Sequence, residues 1–385
     1  MACKKQKKWV RRRHRAVFGL FRVIFGMHTK IRYNFKSVKT KLKPPFLLMS
    51  NHVTTFDPIF ASLSFKCPIY WCASDDIFNI PVASGLLRHL VAPIPISKSS
   101  LDMQAIRDCI RVLKEGGAVG IFPEGNRTLT GKQWHMTEAV AKFVKLSRVP
   151  LVLYNIEGGY GSDPRWGVSK RKGKMLGYVK RVVHPDEYAN MSNDELFKLI
   201  CDALTVYDVD SGVKFASKKR AEKIERVLYM CPNCGTISAI KSHKTEFKCG
   251  ACGKQWQFGQ DLHIYGDDRF GEIADWYNWE KEQLHSLIAK TDGEILQDDG
   301  IEFFESIRFK HKRKLDGNRV TADADGITVS TEKNSKTFCW RDIEGLAIVQ
   351  RDRVDFYYDG KTYQIRGDKR FCPLKYLDLY EGVKL

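Results

Sequence analysis

The chain has 385 residues, of which 64 are Lys or Arg and 45 are Asp or Glu, giving a formal net charge of +19. That length accommodates two or three domains. With 43% apolar and 28% charged residues, the composition excludes both a disordered acidic polymer and a multi-span membrane protein. The 29 Gly and 13 Pro follow no short period, which excludes a collagen-like or low-complexity chain.

The charge is concentrated at one end. Residues 1–45 hold 15 Lys or Arg and no acidic residue, so the remaining chain carries an excess of only +4. Within this stretch Val17, Leu20, Phe21, Ile24 and Phe25 recur at helical spacing, with Trp9 and Phe18 beside them. Arg22 interrupts the apolar run, which is shorter than the ~20 residues a spanning helix needs. No small-x-small site follows it, which argues against a cleaved signal peptide. The pattern predicts residues 1–44 as a basic amphipathic arm on an anionic phospholipid surface. It would lie peripherally on the cytoplasmic face of a membrane. Packing of the stripe on the domain behind it, or binding of the arm to nucleic acid, are the competing readings.

Residues 46–185 alternate between short apolar runs and helical patterns. Strands are predicted at Phe46–Met49, Ile69–Cys72, Ala92–Ile96, Ala118–Phe122, Leu151–Ile156 and Met175–Val183. Helical patterns fall near 58–66, 81–90, 101–115 and 137–147. This predicts an α/β domain over 45–215, with a mixed, mostly parallel sheet and flanking helices. Reactive groups belong in loops at the strand ends.

Two such loops stand out. Ser50-Asn51-His52-Val53-Thr54-Thr55-Phe56-Asp57-Pro58 follows the first strand directly. Asp57 before Pro58 fits a helix start, with Asp as N-cap and Pro at N1. On one regular helix, His52 and Asp57 would point about 140° apart, so pairing them requires an irregular loop. Paired, the carboxylate fixes the imidazole tautomer, and His52 becomes able to take a proton from a hydroxyl. The alternative is a loop histidine beside a simple cap. The second loop is Phe122-Pro123-Glu124-Gly125-Asn126-Arg127-Thr128. Gly125 permits a tight turn, and Arg127 offers a planar fork to phosphate or carboxylate. Thr128 or Thr130 could add hydroxyl bonds.

In this order, about 70 residues apart, the two loops resemble blocks of the glycerophosphate and lysophosphatidate acyltransferase superfamily. The resemblance covers roughly residues 45–185. A third block looks like Ala92-Pro93-Ile94-Pro95-Ile96-Ser97-Lys98, with Lys98 where the family has Arg. The fourth looks like Val149-Pro150-Leu151-Val152-Leu153-Tyr154, with Leu153 in place of a second Pro. The resemblance implies a membrane-associated acyltransferase with a lysophospholipid acceptor such as lysophosphatidic acid. The acyl donor would be a thioester, acyl-CoA or an acidic acyl carrier protein. His52 would be the general base and Asp57 its orienting partner. Glu124, Gly125, Arg127 and Lys98 would form the phosphate side. A catalytically degenerate lipid-binding scaffold is an alternative on the same fold.

A basic stretch from Arg165 to Arg181, with Trp166, Met175 and Tyr178 interleaved, is predicted either to meet anionic headgroups or carriers, or to form a solvated hairpin bending at Gly173 and Gly177. Further on, Cys231-Pro-Asn-Cys234 and Cys249-Gly-Ala-Cys252 lie 14 residues apart, each followed by Gly. Two tight turns presenting two thiolates each predict a closed structural Zn²⁺ site in a ribbon over 226–260. Redox pairs or an iron–sulfur centre are the other readings. A zinc-ribbon nucleic-acid-binding protein is the competing function, but the ribbon itself carries few basic residues.

Residues 261–385 are predicted as a helix, Phe270–Lys290, and then a β-rich domain. Strands are expected at Ile301–Phe309, Arg319–Ala322, Ile327–Ser330, Thr337–Trp340, Leu346–Val349, Val354–Tyr358 and Thr362–Ile365, before a final helix near Pro373–Tyr380. Short strands between Asp-Gly turn signals predict a small antiparallel barrel or sandwich, by architectural analogy pleckstrin-homology-like.

Overall fold

The computed structural model describes residues 8–74, 92–96, 103–307 and 312–384. They form two compact units. The chain leaves the first unit after Ser162, contributes Asp163–Arg171 to the second, returns at Lys172, and passes finally into the second at Lys214.

The first unit is built on a seven-stranded sheet. Its elements in chain order are α1 (Arg12–Tyr33), β1 (Phe35–Ser37), β2 (Phe46–Ser50), α2 (Asp57–Ser62), β3 (Ile69–Ser74), β4 (Ile94–Ile96), α3 (Met103–Lys114) and β5 (Ala118–Ile121). These are followed by α4 (Ala139–Ser147), β6 (Leu151–Glu157), α5 (Gly159–Ser162), β7 (Met175–Val183), α6 (Pro185–Ala189) and α7 (Asn193–Leu204). Strand order is β1-β7-β6-β2-β5-β3-β4. From β6 to β4 all neighbours are parallel, and β7 joins β6 antiparallel. Every residue of β2 is buried, as the unbroken run Phe46-Leu47-Leu48-Met49 demands of a strand covered on both faces. Leu47, Met49, Leu151 and Leu153 meet Val112, Val144, Ile200 and Leu204 of α3, α4 and α7 in the main core.

Gly177 does not bend a hairpin. It lies inside β7, where a Cβ would fall 2.3 Å from the Tyr154 hydroxyl and 2.6 Å from the Phe35 ring. The basic N-terminal segment is also integral to this unit. The backbone N–H groups of Trp9 and Val10 donate to Glu115 Oε2 at 2.7 and 2.8 Å. His14 Nδ1 pairs with the Tyr70 hydroxyl at 3.0 Å. On α1 the apolar pattern divides differently from the predicted stripe. Phe18 and Tyr33 are buried, with Phe21 stacked on Phe18 and Phe25 tilted against Phe21. Leu20, Val23, Ile24, Met27 and Ile31 face outward, Ile31 being 79% exposed. No helix among the described residues is long and apolar enough to cross a membrane.

The second unit begins its regular structure with β8 (Ile240–His243), β9 (Glu246–Cys249), β10 (Gln255–Phe258) and β11 (Ile264–Tyr265), an antiparallel sheet in the order β11-β10-β9-β8. Next come, among the described residues, α8 (Ile273–Ile288), nine strands and α9 (Leu374–Lys384). The strands are β12 (Leu296–Asp299), β13 (Glu302–Ser306), β14 (Lys312–Leu315), β15 (Arg319–Ala322), β16 (Gly326–Ser330), β17 (Ser335–Cys339), β18 (Ile343–Val349), β19 (Arg353–Tyr358) and β20 (Lys361–Arg366). They form two sheets, β12-β15-β16-β17 and β14-β13-β20-β19-β18.

The signals at Asp299-Gly300 and Asp316-Gly317-Asn318 are bends rather than hairpin turns. Leu296–Asp299 pairs with Arg319–Ala322 in one sheet, and Phe303–Ser306 pairs with Lys312–Leu315 in the other, in one continuous register. A single long hairpin thus crosses from sheet to sheet at Gly300 (φ +70°) and Gly317. Residues 308–311, and the predicted helix at 81–90, lie outside the described residues.

Residues 163–171 are well anchored within this unit. Trp166 is fully buried with its ring edge-on to Phe258. The Arg171 guanidinium lies over both rings. Arg165 donates to the carbonyls of Ile348 and Gln350 at 2.8 and 2.9 Å. Two of the basic residues in the Arg165–Arg181 stretch are therefore spent inside the protein.

Candidate active site

β2 and β5 are hydrogen-bonded parallel neighbours, with Met49 opposite Ile121. Their carboxyl ends therefore deliver the His52 loop and the Phe122–Thr128 loop side by side. The Thr128 N–H donates to the His52 carbonyl at 3.0 Å, which ties the loops together. Asn51 clasps the next strand over: its side chain donates to the Ile156 carbonyl at 3.0 Å and accepts from the Ile156 N–H at 2.8 Å.

His52 Nδ1 lies 2.8 Å from Asp57 Oδ2. The imidazole side chain is 19% exposed while the Asp57 carboxylate is completely buried. Asp57 sits at the start of α2 with Pro58 behind it, but its side chain does not cap that helix. It turns back onto the loop. Oδ2 also accepts from the N–H groups of Val53 and Thr54 at 2.6 and 2.8 Å, and Oδ1 accepts from the Thr54 hydroxyl at 2.7 Å. These bonds curl residues 52–57 around the carboxylate, which is how five positions that a helix would splay come to share one point. An acceptor-only carboxylate at Nδ1 favours the tautomer in which that nitrogen is the N–H donor and Nε2 carries the ring's lone pair.

Glu124 is buried, and both of its carboxylate oxygens face backbone: Oε1 accepts from the His52 N–H at 2.9 Å and Oε2 from the Trp134 N–H at 2.7 Å. Burial pushes its carboxyl up to about 7, against the pull of those two bonds. Gly125 has φ +64° in an exposed turn where a Cβ would meet nothing, so the need there is for backbone freedom and not for space. Arg127 Nη1 donates to the Thr55 hydroxyl at 3.0 Å, which brings the guanidinium to the His52 loop. The Thr128 hydroxyl is used locally, donating to the Lys132 carbonyl and accepting from the Gly131 N–H. Ile94–Ile96 of the third block forms β4 at the sheet edge, and Lys98 lies outside the described residues. The fourth block is the start of β6, with Leu153 in the core.

The family model for Acyltransferase matches residues 30–156, the segment that holds both loops. Residues 30–156 are an acyltransferase-family domain. Among curated relatives, the 1-acyl-sn-glycerol-3-phosphate acyltransferase of Borreliella burgdorferi is 29% identical over 118 residues, which is 29% of this chain and 47% of that protein. The enzyme of the same name from Bacillus subtilis is 24% identical over 35% of this chain and 65% of its own length. That from Pseudomonas aeruginosa is 25% identical over 46% and 65% respectively. The chain thus spans about half to two thirds of these relatives. A crystal structure of the 1-acyl-sn-glycerophosphate (LPA) acyltransferase PlsC from Thermotoga maritima aligns over 50% of this chain and 78% of that one, at 22% identity and a TM-score of 0.42.

Beyond the acyltransferase domain, Cys231, Cys234, Cys249 and Cys252 converge with all four Sγ atoms within 4.8 Å of one another. Each knuckle closes in the same way. The Gly235 N–H bonds to the Cys231 carbonyl at 2.8 Å and the Gly253 N–H to the Cys249 carbonyl at 3.0 Å, with φ of +73° and +75° at the two glycines. The Sγ atoms of Cys231 and Cys252, and those of Cys234 and Cys249, are 3.7 Å apart. A tetrahedron of sulfurs around one ion at about 2.3 Å has edges of about 3.8 Å, so the cluster is sized for a thiolate-bound cation. Its entry is fixed from α8: buried Glu280 accepts the N–H groups of Tyr229 and Met230, just ahead of Cys231.

Proposed function

We propose that the protein transfers an acyl group from a thioester donor, acyl-CoA or acyl carrier protein, to the free hydroxyl of a lysophospholipid such as lysophosphatidic acid. The observation that carries the reading is the 2.8 Å His52–Asp57 pair on the loop after β2, beside the Arg127 loop after β5. His52 Nε2 takes the hydroxyl proton as the oxygen attacks the thioester carbonyl carbon. The buried Asp57 carboxylate stabilises the imidazolium that forms. Collapse of the tetrahedral intermediate breaks the carbon–sulfur bond, and His52 returns the proton to the departing thiolate. The products are an ester and a free thiol, and no protein nucleophile is needed.

Arg127 and the exposed turn at Gly125 meet the acceptor's phosphate in this reading. Glu124 serves that side indirectly, holding the backbone of the His52 loop. The outward stripe of α1, with its neighbouring Arg and Lys side chains, rests on the anionic surface from which a lysolipid must be drawn. The four cysteines hold a structural Zn²⁺ with no open coordination position. The thiolate set and sulfur spacing support that assignment.

The test is acyl transfer to lysophosphatidic acid in mixed liposomes, with the two donors run separately. Wild type should transfer from at least one donor, and His52→Ala should fall by orders of magnitude. Equal rates in the two proteins would remove His52 from the chemistry.

A further inference from the structure

We propose that Trp71 is a positioning residue for His52, acting through Phe122 to set the plane of the imidazole. The inference rests on the acyl-transfer reading above. Asp57 grips the ring by one edge atom, Nδ1. A hydrogen bond at one edge atom does not by itself set the plane of the ring, and tilt about that contact would carry Nε2 away from the acceptor hydroxyl.

The faces are controlled by a second set of residues. The imidazole stacks on Phe122 with centroids 4.1 Å apart and planes 16° from parallel. Phe122 in turn stacks on Trp71 at 4.6 Å and 10°. The indole is fixed by its own contacts: it is buried, and its Nε1–H donates to Ser62 Oγ at 2.9 Å. The Ser62 hydroxyl donates to the Pro58 carbonyl at 2.6 Å. On β5, Trp71's partner is Gly120, and a Cβ there would come within 2.6 Å of the indole carbons. A bare glycine lets the indole lie flat across the strand.

The arrangement closes on itself. α2 presents Asp57 at its first residue and Ser62 at its last. One end holds the imidazole edge; the other holds the indole that backs the stack. Positioning to within about 10–20° is what a proton-transfer group requires, and two contacts at right angles achieve what one cannot.

The experiment uses the full chain with Trp71→Leu, which keeps apolar bulk and removes the ring face, and Trp71→Phe, which keeps a face. Histidine labelled at ring carbon is followed by NMR, with the His52 resonance assigned by its loss in His52→Ala. In wild type that resonance is expected to be displaced upfield by the ring beneath it. Trp71→Leu is expected to move it toward the unstacked position and to lower kcat about 10- to 100-fold with little change in KM, the cost of an ångström-scale misplacement. Trp71→Phe should recover most of both. An unmoved resonance in folded Trp71→Leu, or a KM effect with kcat intact, would overturn the proposal. If wild type transfers no acyl group, the proposed activity fails, while the resonance still decides whether Trp71 orients His52.

Discussion

Replacing Asp57 separates its two duties, because Asn and Ala remove different parts of its hydrogen-bond set. Oδ2 accepts from His52 Nδ1 and from the N–H groups of Val53 and Thr54, and Oδ1 accepts the Thr54 hydroxyl. An Asn side chain can place its oxygen at the Oδ2 position and keep all three N–H donors. Its amide then meets Thr54 Oγ1, which also accepts from the Phe56 N–H, so only the Thr54 hydroxyl proton loses its acceptor. The fold cost of Asp57→Asn is therefore about 1 kcal/mol. Ala leaves both buried amides without a partner, a cost of about 2–6 kcal/mol at 1–3 kcal/mol each. In catalysis the order changes: both variants remove the negative charge beside the imidazolium, so Asp57→Asn is expected to lose up to about 10⁴-fold in kcat while remaining folded.

The assay is the initial rate of acyl transfer at saturating donor, paired with urea unfolding of the same preparations. The expected pattern is a small stability loss with a large rate loss for Asp57→Asn, and large losses of both for Asp57→Ala. Asp57→Asn within about threefold of wild type would refute the assigned role. So would rate losses that only track the unfolded fraction in both variants.

Three further outcomes follow from the geometry. Burial raises Glu124 from 4.5 to about 7, so the folded state holds an extra proton between those values. Its contribution to stability is full below about pH 4.5 and is lost as pH rises through about 7, a change of about 3 kcal/mol. Glu124→Gln should flatten the wild-type decline by that amount in urea titrations across this window, and parallel profiles would contradict it. Metal analysis of the purified chain should find about one zinc per molecule, and Cys234→Ser, which breaks the closed four-thiolate set, should reduce it severalfold and open residues 226–260 to protease. Finally, Ile24→Asp with Ile31→Asp on the outward face of α1 should weaken partition onto anionic liposomes at least about tenfold, with thermal unfolding little changed. Unaltered partition would place the membrane contact elsewhere.

The strands of the first unit were legible because their residues obey local rules: Phe46–Met49 is an unbroken apolar run and Leu151–Ile156 an apolar run interrupted only by Asn155, and each became a strand buried on both faces. β1 and β14 carried no such signal. Phe35-Lys36-Ser37 is a strand only because the edge of β7 accepts it, and Lys312–Leu315 only because β13 lies opposite. In the C-terminal unit an Asp-Gly pair marks a place where the backbone must turn. Whether it reverses the chain or bends a strand between sheets depends on the partner strand, and at Gly300 and Gly317 the partner decides for a bend.

The same division runs through the site. The cysteine knuckles were visible because their spacing constrains them, and the His52–Asp57 pairing because the two loops, in order, resemble the blocks of a known family. The carboxylate of Glu124 looked like a surface ligand in a glycine loop, yet it is turned inward by amides ten and 72 residues away, on Trp134 and His52. Asn51 acts through Ile156 and Trp71 through Phe122, partners far along the chain, while Ser62, nearby in sequence, carries no pattern that marks it as the indole's acceptor. Phe122 was a strand residue in the pattern and is a wall of the imidazole in the fold. Motif residues therefore mark where the chemistry is placed, and the residues that hold them in place become visible only when parallel strands bring distant loops to one edge of the sheet.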